Sequence, residues 1–233
     1  MTEFVRMIGV FDSGAGGLGA ISEIRKIAPK IDICFFADRK NAPYGTKSRS
    51  ELIELVKADI SILKDFGADR ILMACCTAST VYRFLPEDMR KISNPIIEPA
   101  VKAASRVTKS GRIGVIATEA TVASHAFRNS LASCKNINEI HELPTQKLVS
   151  LVEGGVKDGR VGSAEREIIH RILSPLYEKD IDTLILGCTH FPHLEKEIGR
   201  CFPNVTLINP SREGAKELLS NIHETGRGKT IYL

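Results

Sequence analysis

No segment of this 233-residue chain stays apolar over the roughly 20 residues that a bilayer-spanning helix needs, so no membrane span is expected. A basic stripe is also missing. The net charge is only +4, and 32 lysines and arginines are scattered among 28 acidic residues, which argues against nucleic-acid binding. No C-x-x-C pair occurs, so the usual zinc-knuckle spacing is absent. The opening stretch MTEFVRMIGV carries Glu3 and Arg6 and runs directly into a strand-like segment, which predicts no secretory signal. Without one, the six cysteines, two of them adjacent, read as reduced thiols of a cytoplasmic protein.

What is present suits a globular protein with a sizeable core: 43% of residues are hydrophobic and 26% charged. Strand-like apolar runs fall at 7–11, 31–37, 70–75, 112–117, 182–187 and 205–208. Between them lie helical patterns near 17–28, 49–66, 78–84, 98–107, 120–132, 146–155, 163–178 and 211–222. Such alternation predicts an α/β protein with parallel sheets, and strands this uniformly apolar suit sheets covered on both faces.

The sequence also repeats its plan. MIGVFDSGAGGL near the start resembles RIGVIATEATVA at 112–123, and ADRILMACCTAST at 68–80 resembles IDTLILGCTHFPH at 181–193. Two halves of similar design would each end a strand in a cysteine, Cys75 and Cys188. Ligands of α/β sheets bind beyond the carboxyl ends of strands, where both cysteines fall.

Gly14, Gly16 and Gly19 match the dinucleotide fingerprint G-x-G-x-x-G, with Asp38 ending the next strand. Asp12, however, stands before the first glycine, where a carboxylate would repel the pyrophosphate that such a loop cradles. For the cysteines, three readings compete. Packing satisfies Cys34, Cys134 and Cys201, which have no polar motif around them. A metal site could draw on Cys75, Cys76, Cys188, His190 and His193, but C-x-H-x-x-H is not a familiar zinc spacing. Proton transfer is the third. Two thiols on opposite sides of a carbon can remove a proton from one face and return one to the other, inverting a stereocentre without a cofactor.

The motifs IGVFDSGAGGL (8–18), APYG (42–45), CCTAS (75–79), IEPAVKAA (97–104), LVEGG (151–155) and LGCTHFPHL (186–194) occur in order. This set resembles that of glutamate racemase, in the cofactor-independent aspartate/glutamate racemase superfamily. The resemblance implies two pseudosymmetric α/β domains, each a mostly parallel sheet flanked by helices, with the active site in the cleft between them. The domains would comprise 1–96 with 208–233, and 97–207.

It further implies Cys75 and Cys188 as the paired bases, and Asp12 with Ser13 beside the first cysteine and the substrate ammonium. Asp38, Glu153 and His190 match positions that support proton transfer or bind charged substrate. Pro43, Tyr44 and Gly45 match a substrate-side loop, and Thr77 and Thr189 match carboxylate-binding residues. The second cysteine motif reads Cys-Thr-His, as in glutamate racemases, where aspartate racemase relatives more often carry Cys-Thr-Glu. One position departs from the pattern: Cys76 stands where the family has asparagine, in Cys-Asn-Thr-Ala, and a thiol is a weak hydrogen-bonding substitute for an amide. The implied activity is interconversion of L- and D-glutamate for peptidoglycan synthesis. No cofactor and no metal are expected. The expected partner is the small-molecule substrate, without nucleic acid or membrane, and a homodimer is the assembly considered.

Overall fold

A computed structural model describes residues 3–156 and 161–233. The chain divides into two compact units, Met1–Pro99 with Ser211–Leu233, and Ala100–Pro210. The chain passes into the second unit at 99/100 and returns at 210/211, where the sequence puts these crossings at 96/97 and 207/208. Among the described residues the strands are, in chain order, β1 (Glu3–Val5), β2 (Met7–Asp12), β3 (Asp32–Ala37), β4 (Arg70–Met73), β5 (Ser93–Pro95), β6 (Arg112–Ala117), β7 (Glu139–Pro144), β8 (Thr183–Gly187), β9 (Thr206–Ile208), β10 (Ile222–Glu224) and β11 (Thr230–Tyr232).

In the first unit five strands form a sheet in the order β11-β3-β2-β4-β5, every pair parallel, and β1 pairs with β10 separately. Parallel pairing requires each strand to return through a helix, and it places all the carboxyl ends on one edge. The helix Arg49–Asp65 is the longest of these returns. Ser48 starts it with a reciprocal cap: its hydroxyl accepts from the Glu51 amide at 3.3 Å while the Glu51 carboxylate accepts from the Ser48 amide at 2.9 Å. Its apolar stripe, Leu52, Val56, Ile60 and Leu63, packs with Phe11, Ile71 and Met73 of the strands.

In the second unit four strands run in the order β7-β6-β8-β9, again all parallel. Strand β8 reads TLILG and is buried throughout. Its last residue has to be glycine. A Cβ on Gly187 would lie 2.8 Å from the Ile116 carbonyl oxygen and 3.0 Å from the Ala117 Cβ. The tight approach draws the end of β8 against the end of β6, where Ala117 pairs with Gly187. The core below it gathers Leu148, Ile169, Leu173, Leu184, Leu186 and Phe191.

Candidate active site

Each unit collects polar groups at the carboxyl edge of its own sheet, around one cysteine. In the first unit β2 ends in Asp12, β3 is followed by Asp38, and β4 is followed by Cys75. Strand register brings these ends level: Asp12 pairs with Ala37, and the Ala74 amide donates to the Phe11 carbonyl at 3.0 Å. The Asp38 amide donates to the Asp12 carbonyl at 3.0 Å, joining two of the acidic residues through the backbone.

Cys75 is 5% exposed and caps the short helix Cys76–Ser79, its sulfur accepting from the Ala78 amide at 3.5 Å. The Ser13 hydroxyl lies 3.8 Å from the same sulfur. Burial, and then the negative charge of Asp12, push the Cys75 thiol up to about 12, against the opposing pull of the Ala78 amide and Ser13. Burial and the Asp12 charge both favour the thiol over the thiolate. Cys76 and Thr77 follow it and are buried.

The glycine-rich loop serves this arrangement. The Gly14 amide donates to Asp12 Oδ2 at 3.1 Å, so a donor that a pyrophosphate would need is already engaged by the carboxylate. Gly17 lets the loop fold back against it, because a Cβ there would sit 2.7 Å from the Asp12 Cβ and 2.8 Å from Phe35 Cε2. Pro43 is exposed at a cis Ala42–Pro43 peptide, and Tyr44 and Gly45 are buried in the turn Tyr44–Thr46. The Tyr44 side chain points inward: its hydroxyl lies 2.7 Å from Asp38 Oδ2 and 2.7 Å from Asp59 Oδ2. Asp38 also accepts from Asn41 Nδ2 on both oxygens, at 3.0 and 2.9 Å.

The second unit builds a different surrounding. Cys188 directly follows β8 and is 7% exposed. Its sulfur lies 3.5 Å from Nδ1 of His190, which is itself buried. The other ring nitrogen of His190 is 3.6 Å from a carboxylate oxygen of Glu153, an exposed residue ending the helix Gln146–Glu153. Thr189, between cysteine and histidine, is buried, and His193 lies in the following turn Phe191–Leu194.

The internal repeat aligns Ser13 with Thr118 and Asp12 with Ala117. Thr118 caps the helix Glu119–Ala123 and meets the Thr121 hydroxyl at 2.8 Å, both side chains buried at the carboxyl edge of β6. Sequence reasoning did not single out these threonines, although the repeat that pairs Thr118 with Ser13 could have found it. It missed Asp59 as well, which lies on an otherwise apolar helix stripe. One cysteine therefore has a carboxylate and a serine beside it, and the other an imidazole backed by a carboxylate. Among the described residues, no group of three or more histidine, cysteine, aspartate or glutamate side chains is disposed to hold a metal ion.

Comparison with known proteins gives a consistent result. The family model Asp/Glu/Hydantoin racemase matches residues 32–218. A glutamate racemase of Aquifex aeolicus is 37% identical over 224 residues, spanning 95% of this chain and 85% of that protein. A crystal structure of a glutamate racemase isoform from Bacillus anthracis aligns with a TM-score of 0.85 and 32% identity, over 100% of this chain and 88% of that one. A glutamate racemase from Francisella tularensis, solved in complex with D-glutamate, aligns with a TM-score of 0.82 and 30% identity over 97% and 87% of the two chains.

Proposed function

The chain belongs to the Asp/Glu/hydantoin racemase family, and on that premise we propose that it interconverts L- and D-glutamate by proton transfer between two cysteines. The observation that carries the reading is the recurrence, in both units, of a buried cysteine just beyond the carboxyl end of a central parallel strand, with Ser13 and the charge of Asp12 beside one and His190 beside the other.

The reaction divides the work between them. One cysteine, as thiolate, takes the α-proton; the C–H bond breaks and its electron pair stays on the α-carbon, delocalised into the substrate carboxylate. The other, as thiol, gives its proton to the opposite face, so that the product has the inverted configuration and the two sulfurs have exchanged protonation states. In this scheme Asp12 meets the substrate ammonium, and that cation offsets the charge that holds Cys75 as a thiol. His190 serves Cys188 in place of a carboxylate, taking or returning the thiol proton across 3.5 Å, with Glu153 steadying the ring. Ser13, Thr77 and Thr189 bind the substrate carboxylates, and Pro43, Tyr44 and Gly45 form the loop on the substrate side. Asp38 supports the first cysteine's surroundings through Asp12. No cofactor takes part. The product D-glutamate would feed peptidoglycan synthesis, and a reducing cytoplasm would keep both thiols available.

The test is to incubate L-glutamate with protein in D₂O and follow optical rotation and α-deuterium together, for the parent chain and for Cys75→Ala and Cys188→Ala. Each substitution should cost at least the roughly 10²–10⁴-fold that loss of a positioned acid or base brings. Substantial racemisation by either variant sinks the two-base assignment. Turnover of aspartate equal to or better than glutamate would move the substrate to aspartate.

A further inference from the structure

The helix Arg49–Asp65 turns Leu52, Val56, Ile60 and Leu63 into the core of the first unit, and in the same stripe it buries a carboxyl group, Asp59, at 2% exposure. An acid in that position needs a compensating arrangement. Tyr44 supplies it. The phenol oxygen is 2.7 Å from Asp59 Oδ2 and, on its other side, 2.7 Å from Asp38 Oδ2.

A phenol has one proton to donate, so two contacts of this length to carboxyl oxygens cannot both be donated by Tyr44. One carboxyl group must supply a proton of its own. Asp38 is the acceptor of the pair, since both its oxygens also face the Asn41 amide nitrogen at 3.0 and 2.9 Å. We propose that Asp59 holds this proton and acts as a positioning residue of the Cys75 half-site: its O–H donates to the Tyr44 oxygen, and the Tyr44 O–H is thereby directed onto Asp38. The relay ends one backbone hydrogen bond from the acid beside Cys75, because the Asp38 amide donates to the Asp12 carbonyl at 3.0 Å.

Electrostatics agree with this order. Burial pushes Asp59 up to about 7, opposed by its bond to Tyr44 and reinforced by the negative charges of Asp38 and Asp12. Burial, and then the carboxyl groups of Asp59 and Asp38, push the Tyr44 phenol upward, so it keeps its proton. The titratable groups that act on Asp59 are Tyr44, Asp38 and Asp12, and Cys34, Cys75 and Tyr82 belong to the same cluster, with Asp32 at the far end of β3. Cys34 and Cys75 are themselves thiols held neutral by burial, so the charges acting on Asp59 are negative. A neutral Asp59 spares the half-site a third buried carboxylate beside Asp12 and Asp38. Once alkaline pH removes its proton, two carboxylates face one phenol, and Tyr44 no longer has a single direction.

The experiment compares Asp59→Asn and Asp59→Leu with the parent chain. Infrared difference spectra between mildly acidic and alkaline pH report the proton directly: the parent should show the carbonyl stretch of a buried carboxylic acid, and Asp59→Asn should lack it. Activity is the second arm and rests on the racemase reading. An asparagine amide can donate to Tyr44 as the neutral acid does, so Asp59→Asn should keep kcat/KM near neutral pH within about threefold and should lose the alkaline decline of the parent. Asp59→Leu, checked for a cooperative melt, should lower kcat/KM about tenfold through kcat, in line with a buried Tyr44 oxygen left without its donor. A carboxylic-acid band that persists in Asp59→Asn overturns the proposal, and so does an Asp59→Asn variant that folds but is as slow as Asp59→Leu. Because the band is read without substrate, failure of the racemase assignment would leave it in place and is distinguishable from failure of the proton assignment.

Discussion

Replacing Asp12 by asparagine separates the charge of this residue from its shape. The amide keeps an oxygen that can accept from the Gly14 amide, as Asp12 Oδ2 does at 3.1 Å, so the loop has no reason to move. What disappears is the negative charge beside Cys75, the second contribution, after burial, to a thiol held up to about 12. At pH 8 such a thiol is ionised in about one molecule in ten thousand, since each pH step below the midpoint is tenfold. A like charge at close range changes proton affinity by about tenfold or more, so Asp12→Asn should raise the thiolate population of Cys75 to about one in a thousand. Burial keeps it above the ordinary value.

The assay is alkylation of the substrate-free protein by iodoacetamide at several pH values, with each cysteine followed separately by peptide mass spectrometry. The Cys75 rate should rise about tenfold at fixed pH, in step with its thiolate fraction. Cys34 is the internal control: it is buried, and burial alone raises its thiol. Its rate should not change. Racemisation should fall in the same variant, because the substrate ammonium loses its counter-charge. An unchanged Cys75 rate would refute the electrostatic role of Asp12, and a parallel rise at Cys34 would show that the substitution had merely loosened the unit.

Two further outcomes follow from the same geometry. Cys76→Asn restores the amide that the family pattern has at this buried position and should leave activity intact or raise it several-fold, the scale of one neutral hydrogen bond of about 0.5–1.5 kcal/mol; abolished turnover in this variant with activity retained in Cys75→Ala would exchange the roles of the two thiols. Asp182 accepts from the Thr108 hydroxyl at 2.7 Å and from the amides of Lys109 and Ser110 at 2.7 and 2.6 Å. Burial opposes its ionisation, but these bonds and that of Thr183 together hold its carboxyl below the usual carboxylate range. A depressed acid stabilises the fold above its unfolded value near 4 and loses that contribution as pH falls through the folded value. Asp182→Asn should therefore cost about 2 kcal/mol at neutral pH, a Tm drop of about 4–8 °C, and the gap should narrow in acid; a gap that is constant from neutral pH into acid would refute the account.

The long strands were legible because two-sided burial makes them apolar throughout, as in RIGVIA and TLILG. Among the edge and short strands, β9 was legible at 205–208 and several others were not. Strand β7 reads EIHELP with no fully buried residue, β5 carries Pro95, and β10 and β11 have only three residues each. One expected helix, 120–132, is broken where His125 adopts a left-handed backbone at φ 54°. Another, 163–178, ends as an α-helix at Leu173 and tightens into a 3₁₀ segment that contains Pro175. The two cysteines stood out because repetition marked the strand ends they follow. Asp59 did not, since a lone acid on a helix reads as solvated, and its partner Tyr44 lies 15 residues away on a different element.

The unlike partners of the two cysteines, a carboxylate and serine for Cys75 and an imidazole for Cys188, constrain what kinetics can reveal. Enantiomers in water are equal in free energy, so the equilibrium constant of racemisation is unity and the Haldane relation forces kcat/KM to be the same in both directions at every pH. Chemical inequality between the two bases can then appear only in how kcat and KM divide. It also governs partitioning, the chance that a proton taken from one enantiomer is washed out to solvent before the bound carbanion is captured. In the proposed two-base scheme, a proton abstracted from L-glutamate rests on one sulfur and one abstracted from D-glutamate on the other. The Cys188 sulfur lies beside His190, whose other ring nitrogen faces the exposed Glu153, whereas the Cys75 sulfur lies beside the buried Asp12. Deuterium should therefore enter recovered, uninverted substrate at different rates for the two enantiomers, even though their conversion efficiencies must agree.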